Sequence, residues 1–599
     1  MGLFQKAAET YDAMEHLAGV YIEGNETLAP VGHIIASPKI EITIDAEGNF
    51  VRARAVDLKI PIPCTEKSSG RAGTKPTAHP LSDKLIYITG EDEEKYNIYL
   101  DELTRWDNSE YSAPKIHAVF IYVQKRTILS DLDKAGLLKW DNNKETSTKK
   151  LKNDDDIITW RVEGLGEDSG AVYEDIELMK NYSKYYLFSV ENNPGVCMVT
   201  GKTGQIASQH IGGVYSNSGK AKLISANDTS NYTFRGRFLN DSEALSIGYL
   251  SSQKAHNALK WLLANQGIQI GERRLICWNP SGIEIPKVSS PLSEFFKGSN
   301  LDSKADPTNF AKQLRAVVWG YKSKLPESES VVIASFEAAT TGRLSVTYYN
   351  ELNGSDFLDR LYYWDTTCYW NSYYWGNSAP SLSQIVNCAF GTQRGSEENA
   401  KIETDSRVLG QQIQRLVFCR LNKALFPTDI MRALTQKASN LQIYSLNNRE
   451  KMLVTACAAI RKYRFDHNKE EWNMALEENR KDRSYQYGRL LAIMEKIERD
   501  TYNQEESRET NAIRSQAVFV QKPERVFSQI MTQLKTGYYP RLSVGARSFY
   551  DRLIGEIQEI LSELDEKEYG RPLTETYLMG YYLQKNKLYS KKTKNQEEE

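Results

Sequence analysis

Residues 331–370 read VVIASFEAATTGRLSVTYYNELNGSDFLDRLYYWDTTCYW. Val331–Phe336 is a short apolar run rich in β-branched residues, the composition of a buried strand. Thr340-Thr341-Gly342-Arg343 interrupts it. In Leu344–Tyr349, Leu344, Val346 and Tyr348 alternate with Ser345, Thr347 and Tyr349, the period of a second strand. Asn353 or Ser355 can cap a following helix whose apolar stripe runs through Phe357, Leu358, Leu361 and Tyr362. An aromatic cluster closes the stretch: Tyr362, Tyr363, Trp364, Tyr369, Trp370, Tyr373, Tyr374 and Trp375.

Upstream, helix and strand signals mix. Leu3, Ala7, Tyr11, Met14 and Leu17 fall on one face of an amphipathic helix over Phe4–Leu17. Ile34–Asp45 and Phe50–Asp57 read as strands around a turn at Asp45–Asn49, with Ile40, Ile42 and Ile44 alternating. The segment Ile60–Pro80 holds four prolines and reads as a long irregular loop. Lys115–Lys125 has the apolar density of a strand, and Ser147–Asp156 that of a polar linker or exposed insertion. Gly201–Ser230 is rich in Gly, Ser and Asn. Ser242–Gln266 returns to helical spacing.

Downstream, Gln393–Thr404 is polar and marks a domain boundary. Beyond it the pattern is almost wholly helical, over Lys451–Tyr463, Tyr485–Asp500 and Ala546–Leu564. Pro572 is placed to open a last helix through Tyr577, Tyr581 and Tyr582. The expected fold class is α+β: a mixed α/β body over 1–400, in one lobe or two with a break near 240, then an antiparallel helical bundle over 401–599.

With 599 residues, 40% hydrophobic and 26% charged, the chain is globular and large enough for several cores. A formal net charge of −2 argues against a surface coated in nucleic acid and leaves room only for local basic patches. The seven cysteines are scattered, with no C-x-x-C pair, which excludes zinc knuckles and fits a reducing cytosol. No apolar run has the length of a signal peptide core or a membrane span. The chain reads as cytoplasmic.

Catalytic motifs are missing. Gly195 and Gly201, ahead of Lys202-Thr203, enclose five residues where a P-loop needs four for its amides to converge on phosphate. No histidine stands in an H-D pair or in H-E-x-x-H, and no nucleophile elbow is present. We therefore expect no catalytic residues, no metal site and no cofactor. Two segments instead concentrate cations with glycine and hydroxyls. Lys59–Lys84 contains Lys67, Ser68, Ser69, Arg71 and Lys75. Gly201–Arg237 contains Lys202, Tyr215, Lys220, Lys222, Asn227, Tyr232, Arg235 and Arg237, with only Asp228 acidic. Lysines gain from counterion release at phosphates, and glycine allows close backbone approach; each segment is either a phosphate-binding loop or a solvated surface.

Four motifs carry a resemblance. Ala338–Tyr349 with Glu351–Leu358 resembles the A-A-T-x-G-R-x-S-V-x-Y-Y and E-L-x-G-S-x-F-L runs of the large subunit of the type I-C CRISPR interference complex (Cascade). Gly488–Ala492 with Glu495–Ile497 is similar to its G-R-L-x-A-x-x-E-K-I helix, and Leu578–Tyr582 to its L-x-G-Y-Y. Pro63–Gly70 resembles its P-x-x-x-(K/R)-S-S-G loop. Ser218–Asn227 is similar to a fifth motif, S-G-A-x-L-V-S-F-N, and departs from it at Lys220 and Ala226.

The resemblance implies a non-catalytic large subunit of an RNA-guided DNA surveillance complex in antiviral defence. Such a subunit recognises the protospacer-adjacent motif, helps open duplex DNA, holds the displaced single strand and recruits a helicase-nuclease. Its implied partners are guide RNA, target DNA and the other Cascade backbone subunits. The alternative is an RNA-processing or other nucleic-acid enzyme with an unrecognised active site. Families of this type also supply a small subunit by internal translation. Here Lys469-Glu470-Glu471 can be encoded as a purine-rich ribosome-binding sequence ahead of Met474, and Arg480, Arg483 and Arg489 would then serve single-stranded DNA.

Overall fold

A computed structural model describes residues 2–589 except 72–74, 143–148, 167–169, 190–192, 216–218, 225–237, 239–240, 296–306, 341, 373, 375, 396–398, 504–505, 507 and 565. The fold is α+β, with small sheets and a helical C-terminal region. The chain divides into two compact units. The first comprises Met1–Gln269, Arg273–Glu284 and Glu329–Glu351; the second comprises Ile270–Glu272, Ile285–Ser328 and Leu352–Glu599.

The first unit opens with helix α1 (Leu3–Ala13), the expected amphipathic element. Strands β1 (His33–Ala36), β2 (Ile40–Asp45), β3 (Phe50–Ala55) and β4 (Ile60–Pro63) follow, and β5 (Ile158–Glu163) comes later in the chain. β2 lies between β3, antiparallel, and β5, parallel. The alternation of Ile40, Ile42 and Ile44 places all three in the core with Trp160.

Two expectations change here. Part of the proline-rich segment is ordered: β4 pairs with β1 in the register His33↔Pro63 and Ile35↔Pro61. A two-stranded ribbon always has an outer edge, so a residue without an N–H is tolerated there. Lys115–Lys125 is not a strand but helix α3 (Pro114–Gln124), with Pro at its start. Ile116, Val119, Tyr122 and Val123 are buried along it. A short continuous apolar run does not distinguish a buried helix from a buried strand, and here the length and the N1 proline decide. Nor is Asp154–Asp156 merely a linker, since the carbonyls of Asp154 and Asp156 accept from the Ile86 and Leu85 N–H groups.

A second sheet has the strand order β6 (Ile268–Ile270), β7 (Arg273–Trp278), β8 (Ser330–Thr340), β9 (Arg343–Asn353). β8 and β9 are the two strands expected from 331–349. Helix α4 (Tyr249–Gln266) packs with α1 over this sheet, and the Trp278 indole N–H donates to Thr10 Oγ1 at 2.9 Å.

In the second unit, α5 (Pro307–Lys322) packs on α6 (Gly354–Thr367). Asn353 occupies the N-cap position of α6, and Phe357, Leu358 and Leu361 are fully buried as the stripe required. Thr392–Arg394 pairs antiparallel with Lys401–Glu403. Helices α7 (Leu446–Asn468), α8 (Arg483–Arg499) and α9 (Thr576–Tyr589) follow, with Val544–Ser562 between the last two. Pro572 precedes α9 by four residues and does not open it. α8 and α9 cross at glycines: a Cβ on Gly488 would lie 2.0 Å from the Tyr577 carbonyl oxygen, and one on Gly580 2.1 Å from that of Tyr485. That close approach is the physical reason for a glycine in each of the two C-terminal motifs. No helix among the described residues is long and apolar enough to cross a membrane.

Candidate nucleic-acid interface

The Pro63–Gly70 motif folds as β4 running into a one-turn helix, α2 (Glu66–Ser69). Thr65 caps it: Ser68 N–H donates to Thr65 Oγ1 at 3.0 Å, and Thr65 N–H to Ser68 Oγ at 2.9 Å. This reciprocal capping box uses the two orphan donors of the turn. Ser68 Oγ also meets His79 Nδ1 at 2.9 Å, and Ser69 Oγ donates to the Glu66 carbonyl at 3.0 Å. Ser68 is buried, and burial, with Arg71 and Lys84 nearby, holds the His79 imidazole well below its ordinary range, so it is neutral.

Arg71 is half-buried. Its guanidinium pairs with the fully buried Asp83 carboxylate and lies 4.6 Å over the Tyr87 ring. The same carboxylate accepts from the His79 N–H at 2.7 Å. Three of the expected phosphate contacts, Ser68, Ser69 and Arg71, are thus engaged within the fold; they shape the loop. Lys67 and Lys75 are exposed.

The second basic segment meets the first. Glu66, the buried first residue of α2, accepts from Ser208 N–H at 3.1 Å and Ser208 Oγ at 2.8 Å. The Lys220 ammonium donates to the Arg71 carbonyl. Next to Lys220, Gly213 N–H donates to the Ala221 carbonyl at 2.9 Å, and Gly212 bridges Lys222. Gly213 has φ +63°, and a Cβ on it would lie 2.7 Å from the Gly219 oxygen; a Cβ on Gly212 would lie 2.7 Å from that of Lys220. The glycines permit this close approach of the two backbones.

A third segment joins. Lys222 N–H donates to the Gly342 carbonyl at 3.1 Å, and Leu344 N–H to the Lys222 carbonyl at 3.0 Å. The tip of the β8–β9 hairpin, Gly342-Arg343 of the quoted motif, is therefore stitched to the Lys220–Lys222 strand. Its other side is anchored in the core through Ala221 and Leu344. The junction bears Lys67, Lys220 and Arg343, exposed, and Lys222, half-buried. Cations presented on backbone locked by hydrogen bonds suit a polyanion better than the same cations on a free loop, because less side-chain and backbone freedom is lost on contact.

The remaining expected residues fall elsewhere. Tyr215 is buried among Val214, Ala221 and Tyr249, so its ring belongs to the core and not to base stacking. Lys202 is exposed at the end of a separate hairpin, Pro194–Val196 with Thr203–Gln205, which also replaces the strand–loop–helix a P-loop would require. Asn227, Tyr232, Arg235 and Arg237 lie outside the described residues. Arg343 was not among the expected contacts, although its motif carries the resemblance; a cation next to a turn glycine was the available signal.

The three arginines expected to serve single-stranded DNA are engaged within the fold. Arg489 is 1% exposed and donates to Gln584 Oε1 at 2.9 Å and to the Glu478 carbonyl at 2.6 Å. Arg483 is held by Glu524 and the Arg571 carbonyl. Arg480 stacks 3.4 Å over Trp472 and pairs with Glu470 and Glu477.

The fold is thus an α+β protein whose first unit joins three motif-bearing segments into one basic junction. A family model described as CRISPR-associated protein (Cas_Csd1) matches residues 8–589, and the chain belongs to this family, that of the type I-C large subunit. No curated protein matches the chain.

Proposed function

We propose that this chain is the non-catalytic large subunit of an RNA-guided DNA surveillance complex, and that the junction of Lys67, Lys220, Lys222 and Arg343 grips duplex DNA where the strands begin to separate. The observation that carries the reading is the convergence of three segments, distant in sequence, each holding a motif shared with the family. In such complexes base pairing with the guide reads the target, while protein reads the short flanking motif and steadies the displaced strand. Recognition of the protospacer-adjacent motif, contact with guide RNA and backbone subunits, and recruitment of a helicase-nuclease belong to this reading.

Replacing Lys67, Lys220 and Lys222 together with alanine should weaken binding of target duplex by the assembled complex and flatten the log–log salt dependence by up to about three units. Unchanged affinity and slope would remove the junction from the reading. The isolated chain should not cleave DNA or RNA with magnesium; cleavage abolished by a single carboxylate substitution would favour the enzyme alternative.

A small product begun at Met474 fits the same reading. It would lack Glu470 and Trp472, two of the groups that hold Arg480, and α7, against which α9 packs. Synonymous recoding of Lys469–Glu471 should abolish a co-purifying C-terminal product; an undiminished product would exclude this start.

A further inference from the structure

The second unit carries a separate feature on α5. Phe310, Leu314 and Val318 are buried on one side of this helix, spaced four residues apart. On the other side Lys312, Arg315, Ala316 and Trp319 are all exposed, at i, i+3, i+4 and i+7. Trp319 is 76% exposed, in a chain where Trp106, Trp160, Trp278, Trp364 and Trp370 are fully buried. Its neighbours leave the ring uncovered: Ala316 lies one turn before it, and Gly320 follows with nothing within 4 Å of where a Cβ would stand. The Arg315 guanidinium is steadied by donating from Nε to Tyr362 Oη at 2.9 Å. Residues 307–324 contain Lys312, Arg315, Lys322 and Lys324 and no acid; of these Lys322 is paired, with Asp359 at 2.8 Å.

We propose that this face of α5 is a binding site for single-stranded nucleic acid, with one base stacked on Trp319 and the backbone phosphates held by Lys312 and Arg315. An open aromatic ring beside cations is the arrangement that binds single strands irrespective of sequence, because every base has a π-face and every nucleotide a charge. The occupant is chosen by charge. The core of a protein–protein interface is depleted of lysine and built from contiguous apolar surface, whereas Trp319 is the one large apolar side chain exposed among the described residues of α5, and cations flank it. The inference shares with the proposed function only the class of ligand. It concerns a different unit and needs neither guide nor duplex.

The test is fluorescence anisotropy of a labelled oligothymidylate with the full chain, in the wild-type sequence and in the Lys67→Ala/Lys220→Ala/Lys222→Ala background, which silences the junction in the first unit. In both, Trp319→Ala should weaken binding about 5- to 150-fold, the range for loss of one stacked base, and Trp319→Phe should retain most of the affinity. Lys312→Ala/Arg315→Gln should lower the salt slope by about 1.4. Thermal melting should be unchanged in all three, since the replaced side chains face solvent. Trp319→Ala binding as tightly as its parent would overturn the proposal, whatever the duplex experiment returns. So would a Trp319→Ala chain that binds oligothymidylate normally but no longer joins its complex, because the face would then be a protein contact.

Discussion

Both units bury ion pairs, but among the described residues only the first also buries histidines. In the first, His33, His79, His210 and His256 are all inside, and the charges that reach them are cations: Arg71 and Lys84 for His79, Lys222 for His210. Burial holds His33 and His210 down to about 4 and His256 to about 3, so all are neutral in the folded unit. Their Nδ1 atoms meet hydroxyls and carbonyls, as where Ser252 Oγ meets His210 Nδ1 at 2.8 Å. In the second unit the buried titratable groups of the described residues include charged pairs and no histidine. Arg420 and Asp365, each 1% exposed, meet at 2.8 Å, and Lys462 meets Asp466 at 2.7 Å. Burial by itself pushes the Glu495 carboxyl up, but Lys585 and the Tyr581 hydroxyl outweigh it and hold it below its ordinary range. Buried neutral imidazoles are exposed to acid; a buried ion pair does not tolerate losing a partner.

The largest effect that would break this contrast is in the second unit. Asp365→Ala strands the Arg420 guanidinium, which also holds the Val288 and Ser290 carbonyls. It should cost about 3–5 kcal/mol, read as loss of hydrogen-exchange protection in the second unit with the first unit's protection retained. Asp365→Leu/Arg420→Met should recover most of it; equal loss in the double variant would mean the pair is more than a compensated burial.

Acidification should act on the first unit. The unfolded chain protonates these imidazoles near 6.5, while folded His33 and His210 do so only near 4. Unfolding between those values takes up protons, so the histidines' contribution to stability is constant above about pH 7 and falls as pH drops from 6.5 towards 4. Each histidine contributes a slope of about 1.4 kcal/mol per pH unit. Denaturant midpoints at pH 7, 6 and 5, followed by exchange protection of β2 and α4, should decline, and His33→Asn should reduce the slope. A decline led by α8 and α9 would reverse the comparison.

The smallest expected effect sharpens the account of the junction. Thr65→Ala removes one half of the capping box of α2 and should cost about 1 kcal/mol while lowering affinity for duplex, because Lys67 loses its fixed frame. Thr65→Ser should restore both. A stability loss with unchanged affinity would separate the cap from the interface.

Much of this was legible in the chain. The strand pair β8–β9 and the helix after it follow from apolar spacing alone, since period and capping are local properties. The isoleucines of β2 and the stripes of α7 and α8 were readable for the same reason. Lys115–Lys125 was misread because density without a period is ambiguous, and the order in Ile60–Pro63 was hidden because pairing with His33–Ala36 is not a local signal. At the junction the sequence singled out two of the three segments that meet there and counted residues that the fold uses internally. Composition counts a charge at Arg71, Arg483 or Arg489 but not the Asp83, Glu524 or Gln584 waiting for it.

By itself the sequence determined the α+β class, the family and the presence of two basic, glycine-bearing segments, because each depends on short-range pattern and on motifs kept in order along the chain. Only the tertiary structure decided that Lys67, Lys220, Lys222 and Arg343 share one junction, that Tyr215 and Arg71 are structural, and that Trp319 faces solvent. Those are questions of which partner a side chain finds across a fold. The answer rests on burial and on hydrogen bonds between residues up to hundreds of positions apart, which no local pattern encodes.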